Sequence, residues 1–169
     1  MDLSFSGKVQ ACDGVHKGRS GSRSVRTVWL NPTDRWRQTK LAAVSECDGS
    51  ILWASDLILG RVLRVGPGGV EPIDVGVTSM EGPGPAVGFG SVWVGTGDNN
   101  TVIRIDASSK QVLAAIELEG WVEDVATGAG SVWVALPEED RVVRIDPTTN
   151  QVTARIRVTG FPNAIAVGN

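Results

Sequence analysis

From residue 41 onward the chain is written in short apolar runs separated by Gly, Pro, Asn, Asp and Ser, and no run keeps the 3.6-residue spacing of an amphipathic helix. The clearest run is Gln151 to Val158. Here Val152, Ala154, Ile156 and Val158 alternate with Gln151, Thr153, Arg155 and Arg157, the period of a half-exposed strand. Ahead of it lie Val125–Thr127, Ser131–Ala135 and Arg141–Ile145, each β-rich, joined by Gly128-Ala129-Gly130 and by the polar Pro137-Glu138-Glu139-Asp140. Asp146-Pro147-Thr148-Thr149-Asn150 predicts a tight turn, because Pro presets φ while Asp and Asn bond the local backbone. Four short strands and no helix are therefore expected in this stretch.

The same order recurs. Trp53, Trp93 and Trp133 stand 40 residues apart, and each is followed by Arg64, Arg104 or Arg144 inside an apolar run. Laid over each other without a gap, residues 86–125 and 126–165 agree at 16 of 40 positions. A period near forty with about four strands per copy is the signature of propeller blades. The fold expected is all-β: a partial β-propeller of about three four-stranded blades plus one leftover strand. Blades fall near residues 41–79, 80–119 and 120–159, and Phe161 to Gly168 begins a fourth. Closed propellers carry about 4–8 blades, so the expectation is either part of a longer propeller or a half-ring that dimerises into a closed one.

Charge separates the remaining segment from the repeats. Residues 1–40 hold 8 Lys+Arg against 3 Asp+Glu, whereas residues 41–169 hold 8 against 16. The first segment reads as basic and flexible, with Gly, Ser, Arg and Lys concentrated between Gly14 and Ser24. Its charges are scattered and lack aromatic interleaving, which argues against nucleic-acid binding. Cys12 and Cys47 form no metal or disulfide pattern and read as free thiols. No apolar stretch is long enough to span a membrane, and no secretory signal is evident, so localisation stays open.

The wording of the copies carries a resemblance. Gly90-Ser91-Val92-Trp93-Val94 with Val102-Ile103-Arg104-Ile105-Asp106, and Gly130-Ser131-Val132-Trp133-Val134 with Val142-Val143-Arg144-Ile145-Asp146-Pro147, resemble blades of the streptogramin (virginiamycin B) lyase-like propellers. The related YVTN and NHL-type propellers share much of this pattern. The resemblance covers roughly residues 41–169 and implies a propeller. The family's enzymes open a cyclic lactone by elimination with a divalent metal, histidine and glutamate. In this sequence His16 is the sole histidine and lies outside the repeats, so no catalytic residue is carried over. In such families these arrays are often joined to sensory, regulatory or cell-surface proteins, often outside the cytoplasm.

Repeated positions are explained by packing, so binding is sought where the copies differ. The tryptophans are expected in the core. Arg64, Arg104 and Arg144 are expected to pair with nearby carboxylates, for which Asp106 and Asp146 are candidates. Two loop sets differ between copies and, by propeller topology, share one face. They carry Met80, Glu81, Asp98, Asn99, Trp121, Glu123, Asp124, Glu138, Glu139, Asp140, Phe161 and Asn163. Acidic side chains beside aromatics suit a protein or peptide partner, a small cationic ligand or a weak calcium site, although solvated turns have the same composition. No cofactor, metal or catalytic residue is assigned. The function expected is a non-catalytic binding or scaffold module. The alternatives are a fragment of a metal-dependent lyase-like enzyme and a self-assembling half-propeller.

Overall fold

The computed structural model describes residues 41–44, 51–78, 80, 82, 84–97 and 99–168. Among these, twelve strands form three antiparallel four-stranded sheets, with no α-helix. Blade one holds β1 (Leu41–Val44), β2 (Leu52–Asp56), β3 (Arg61–Gly66) and β4 (Gly69–Asp74). Blade two holds β5 (Ala86–Gly88), β6 (Ser91–Gly95), β7 (Thr101–Asp106) and β8 (Val112–Glu117). Blade three holds β9 (Asp124–Gly128), β10 (Ser131–Leu136), β11 (Arg141–Ile145) and β12 (Val152–Arg157). Each sheet is a meander in sequence order, as in propeller blades.

Turn chemistry sets the register. Gly88 pairs with Ser91 across Phe89 and Gly90, both at positive φ (57° and 69°). Gly128 pairs with Ser131 across Ala129 and Gly130 (49° and 70°). Two consecutive positive-φ residues make the primed turn whose twist suits a tight hairpin. The β7–β8 turn closes differently: the Lys110 N–H donates to the Asp106 carbonyl, while the Asp106 carboxylate accepts from the Ser108 and Ser109 N–H groups. Asp146, Thr148, Thr149 and Asn150 repeat this arrangement in blade three. Both turns end at positive φ, at Lys110 and Asn150, and both are followed by a bulge in the outer pair of strands. Blade one closes more tightly, with Gly66 opposite Gly69.

The core lies between the blades. Trp53, Val62, Ile73 and Met80 pack against Val92, Val94, Ile103 and Ile105 of blade two. Trp93, Val102 and Ile116 pack in turn against Val132, Val134, Val143 and Ile145 of blade three. In β6, Val92 and Val94 thus face the preceding blade and Trp93 the following one, and the strand is buried along its whole length. The inner strands β5 and β9 also touch, and the Thr127 hydroxyl donates to the Val87 carbonyl at 2.7 Å.

Two sequence expectations are corrected. Arg104 and Arg144 do not hydrogen-bond Asp106 and Asp146, whose carboxylates are turned into their own turns. Instead Nε of each donates to a serine hydroxyl two positions before the tryptophan, Ser91 at 2.9 Å and Ser131 at 2.7 Å. Trp53 and Trp93 are buried, but Trp133 is half-buried, since no described sheet covers its side of blade three. Residues 164–168 follow the innermost-strand position without a ladder partner among the described residues.

Candidate functional site

The loops that differ between copies meet in pairs along one edge of the sheets. Gly97, after β6, forms an isolated bridge with Val122, which leads into β9. In blade three the connection between β10 and β11 is a single 3-10 turn, Pro137–Glu139, which ends at Asp140 in a left-handed conformation (φ 50°). Pro at its first position fits the turn, since the missing N–H is unneeded there. A side chain at Gly120 would lie 2.8 Å from Cγ of Glu139, so glycine allows the two loops to close on each other.

The aromatic and acidic residues are held by these junctions. Trp121 is half-buried and its indole N–H donates to Glu123 Oε2 at 2.9 Å. The Glu123 backbone N–H donates to the Ala135 carbonyl, which ties this loop to β10. Asp124 accepts the Ile165 N–H at 2.7 Å on one carboxylate oxygen and the Val125 N–H on the other. Asp140 accepts the Phe161 N–H at 3.3 Å through its side chain and the Val158 N–H through its carbonyl. Asp124 and Asp140 therefore fasten the segment that follows β12. Glu138 and Glu139 are exposed and make no ion pair with a described residue. Phe161, at positive φ, is 59% exposed, the largest value among the exposed large apolar side chains.

Of the remaining candidates, Asn99 and Asn163 are exposed, and the Asn99 carbonyl accepts the Thr101 hydroxyl. Glu81 and Asp98 lie outside the described residues, as do Cys12, His16, Cys47 and the basic segment 1–40. Met80 does not belong to the loop face: it is fully buried between blades one and two, and its N–H donates to the Leu57 carbonyl. An apolar side chain at that junction gains more from the interblade core than from the rim. Among the described residues no three acidic side chains converge closely enough to hold a metal ion.

Sequence reading passes over two charged groups. Asp56 is fully buried at the end of β2, where its carboxylate accepts the Leu59 N–H and pairs with Arg61 at 3.2 Å. The signal is an Asp and an Arg flanking a tight apolar turn, which looks like ordinary turn composition. Glu119, just beyond β8, is shared by Arg141 at 2.8 Å and Arg155 at 3.1 Å from blade three. It neutralises cations that would otherwise flank the acidic loops.

A second electrostatic feature joins blades one and two. Glu71 sits opposite Arg64 on adjacent strands and pairs with it at 3.1 Å, and Lys110 of blade two reaches the same carboxylate at 3.2 Å. The hydrogen bond from Lys110 is the largest influence on Glu71; desolvation comes next and opposes it, but the Lys110 charge and the hydrogen bond and charge of Arg64 add to the lowering and hold the carboxyl below its usual range. Asp106 is likewise lowered, first by the Ser109 backbone N–H, then by the Ser109 hydroxyl and the Ser108 N–H.

No protein-family model and no curated protein matches the chain. Solved structures do. A streptogramin B lyase superposes with a TM-score of 0.63 at 16% identity, covering 75% of this chain and 43% of the lyase. AztD from Citrobacter koseri gives 0.62 at 13% identity, covering 80% and 40%. The WD40 repeats of RRP9 give 0.60 at 12% identity, covering 80% and 44%. These likenesses establish the fold, a β-propeller. The chain spans less than half the length of each of these three structures. Among the described residues no helix is long and apolar enough to cross a membrane.

Proposed function

We propose that this chain is a propeller module that binds another protein through its acidic loop face, without catalysis of its own. The segment recognised is basic and extended. The observation that carries the reading is the pair Glu138 and Glu139, exposed and without a described ion-pair partner, on a 3-10 turn fixed by its neighbours. Trp121 and Phe161 lie in the adjoining loops, and amphipathic aromatics of this kind supply contact area at low entropic cost. Glu119 supports the reading by occupying Arg141 and Arg155, which leaves the neighbouring carboxylates less compensated. A module of this kind would serve a larger sensory, regulatory or cell-surface assembly.

The test is calorimetric titration of the chain with a lysine-rich peptide and with a glutamate-rich peptide of equal length, each at low and high salt. Selective binding of the basic peptide, weakened by salt, is expected. Equal binding of both peptides, or of neither, would remove the proposal.

A further inference from the structure

The outer strands β4, β8 and β12 end their sheets in the same place but are guarded differently. Among the described residues no strand pairs with the far edge of any of them. The Leu118 N–H donates to the Asn100 carbonyl, so by the alternation of an antiparallel ladder Ile116 and Ala114 also turn their backbone groups toward β7. Ala115 and Glu117 turn theirs outward. In blade three the Val158 N–H donates to the Asp140 carbonyl, which leaves Arg155 and Arg157 in the outward positions.

One ladder position compares the three edges directly. Opposite Leu63, Ile103 and Val143, the same position of successive blades, stand Pro72, Ala115 and Arg155, all exposed. Proline has no N–H to offer a further strand, and arginine meets one with a charge on a long side chain; both devices keep sheet edges from pairing. Alanine does neither. Nor do its neighbours in β8: Val112 and Leu113 are 44% and 49% exposed, and no charged residue occurs from Gln111 to Ile116.

We propose that the outer edge of β8 is a pairing site for β8 of a second copy of this chain, antiparallel across a two-fold axis at Ala115. In that register the strand is complementary to itself: Ala115 lies opposite Ala115, Ala114 opposite Ile116, and Leu113 opposite Glu117. Small side chains at the axis let the strands approach, no like charges meet, and the outward N–H and C=O groups of Ala115 and Glu117 gain partners. The same axis on β12 would set Arg155 against Arg155, and on β4 it would set Pro72 against a proline equally without a donor. Of the three edges, blade two's is therefore the one that accepts its own kind. The contact joins rims, not blade faces. Its six residues a side fall far short of the roughly 20–30 of a standard interface, so the dimer forms reversibly.

The test is sedimentation velocity of the full chain over a concentration series, with hydrogen exchange at its two ends. A monomer–dimer equilibrium is expected, in which the Ala115 and Glu117 amides slow at high concentration and those of Arg155 and Arg157 do not. Ala115→Arg, which copies the guard of blade three, should weaken dimerisation at least about tenfold and keep the parent's melting temperature. Ala115→Pro, the guard of blade one, should weaken it too by removing a donor that the β7–β8 ladder does not use. A chain that stays monomeric throughout, or open-ended oligomers in place of a dimer, would overturn the proposal. So would a dimer that either folded variant retains at the parent's strength, or one that slows exchange at Arg155 and Arg157 instead.

Discussion

The guanidinium carbon of Arg104 lies 4.9 Å from the centre of the Trp93 ring, directly across the ladder from it, and the same hand reaches into blade three. Ring and cation together seal the junction between two sheets: the indole fills it, its N–H donates to the Gly88 carbonyl, and the arginine binds the next turn. The repeated Trp and Arg are thus one interblade device.

Its weight should depend on whether a following blade is in place. Trp93→Ala removes a fully buried indole and is expected to cost about 3–5 kcal/mol, a large share of the stability of a domain this size. Trp133→Ala removes a half-buried ring with the same local contacts and is expected to cost distinctly less. Denaturant midpoints of the two variants check this; equal losses would contradict the packing described.

Acid should act on the junction of blades one and two. Folded Glu71 has a lower pKa than the unfolded residue, so its ionised form favours the folded state. That contribution is present above the ordinary glutamate range and is lost as the pH falls through the depressed value. Melting curves taken from neutral to acidic pH should therefore fall less steeply for Glu71→Gln than for the parent chain, with the difference reduced by salt. Parallel curves would count against the Lys110–Glu71–Arg64 cluster.

A stabilising change is available at Ala129, which holds φ 49° in the β9–β10 hairpin and is exposed. Left-handed backbone costs an L-residue with a Cβ about 1–2 kcal/mol, and Asn tolerates it better. Ala129→Asn is expected to raise stability by about 0.5–1 kcal/mol, readable as a higher melting temperature. A lower one would mean that the turn is not of the primed type.

The acidic loop of blade three should divide into two roles. Asp140→Ala removes the acceptor of the Phe161 N–H and is expected to speed hydrogen exchange over residues 161–168. Glu138→Gln alters an exposed carboxylate without a described partner and should leave both exchange and melting unchanged. If Glu138→Gln destabilised the chain as much as Asp140→Ala, the loop would be structural throughout.

Much of this architecture was legible because each blade repeats its wording. The alternation from Gln151 to Val158 places β12, and the forty-residue step from Trp53 to Trp133 places the second strands. Pairing between sheets was less legible. Asp106 and Asp146 looked like partners for the arginines by proximity in sequence, yet aspartates at the start of a turn bond their own backbone first. Arg104 instead depends on Asn150, 46 residues away, which local spacing cannot signal. On the loop face, composition separates neither Asp124 and Asp140, which tie down residues 161–165, from the exposed Glu138, nor the buried Met80 from its polar neighbours.

The most direct measurement of the proposed binding role is calorimetric titration of a lysine-rich peptide into the parent chain and into a Glu138→Gln, Glu139→Gln double variant. The account predicts a salt-sensitive association that weakens at least about tenfold in the variant, whose melting temperature stays that of the parent. Undiminished affinity in a correctly folded variant would contradict it and place any binding surface elsewhere on the blades.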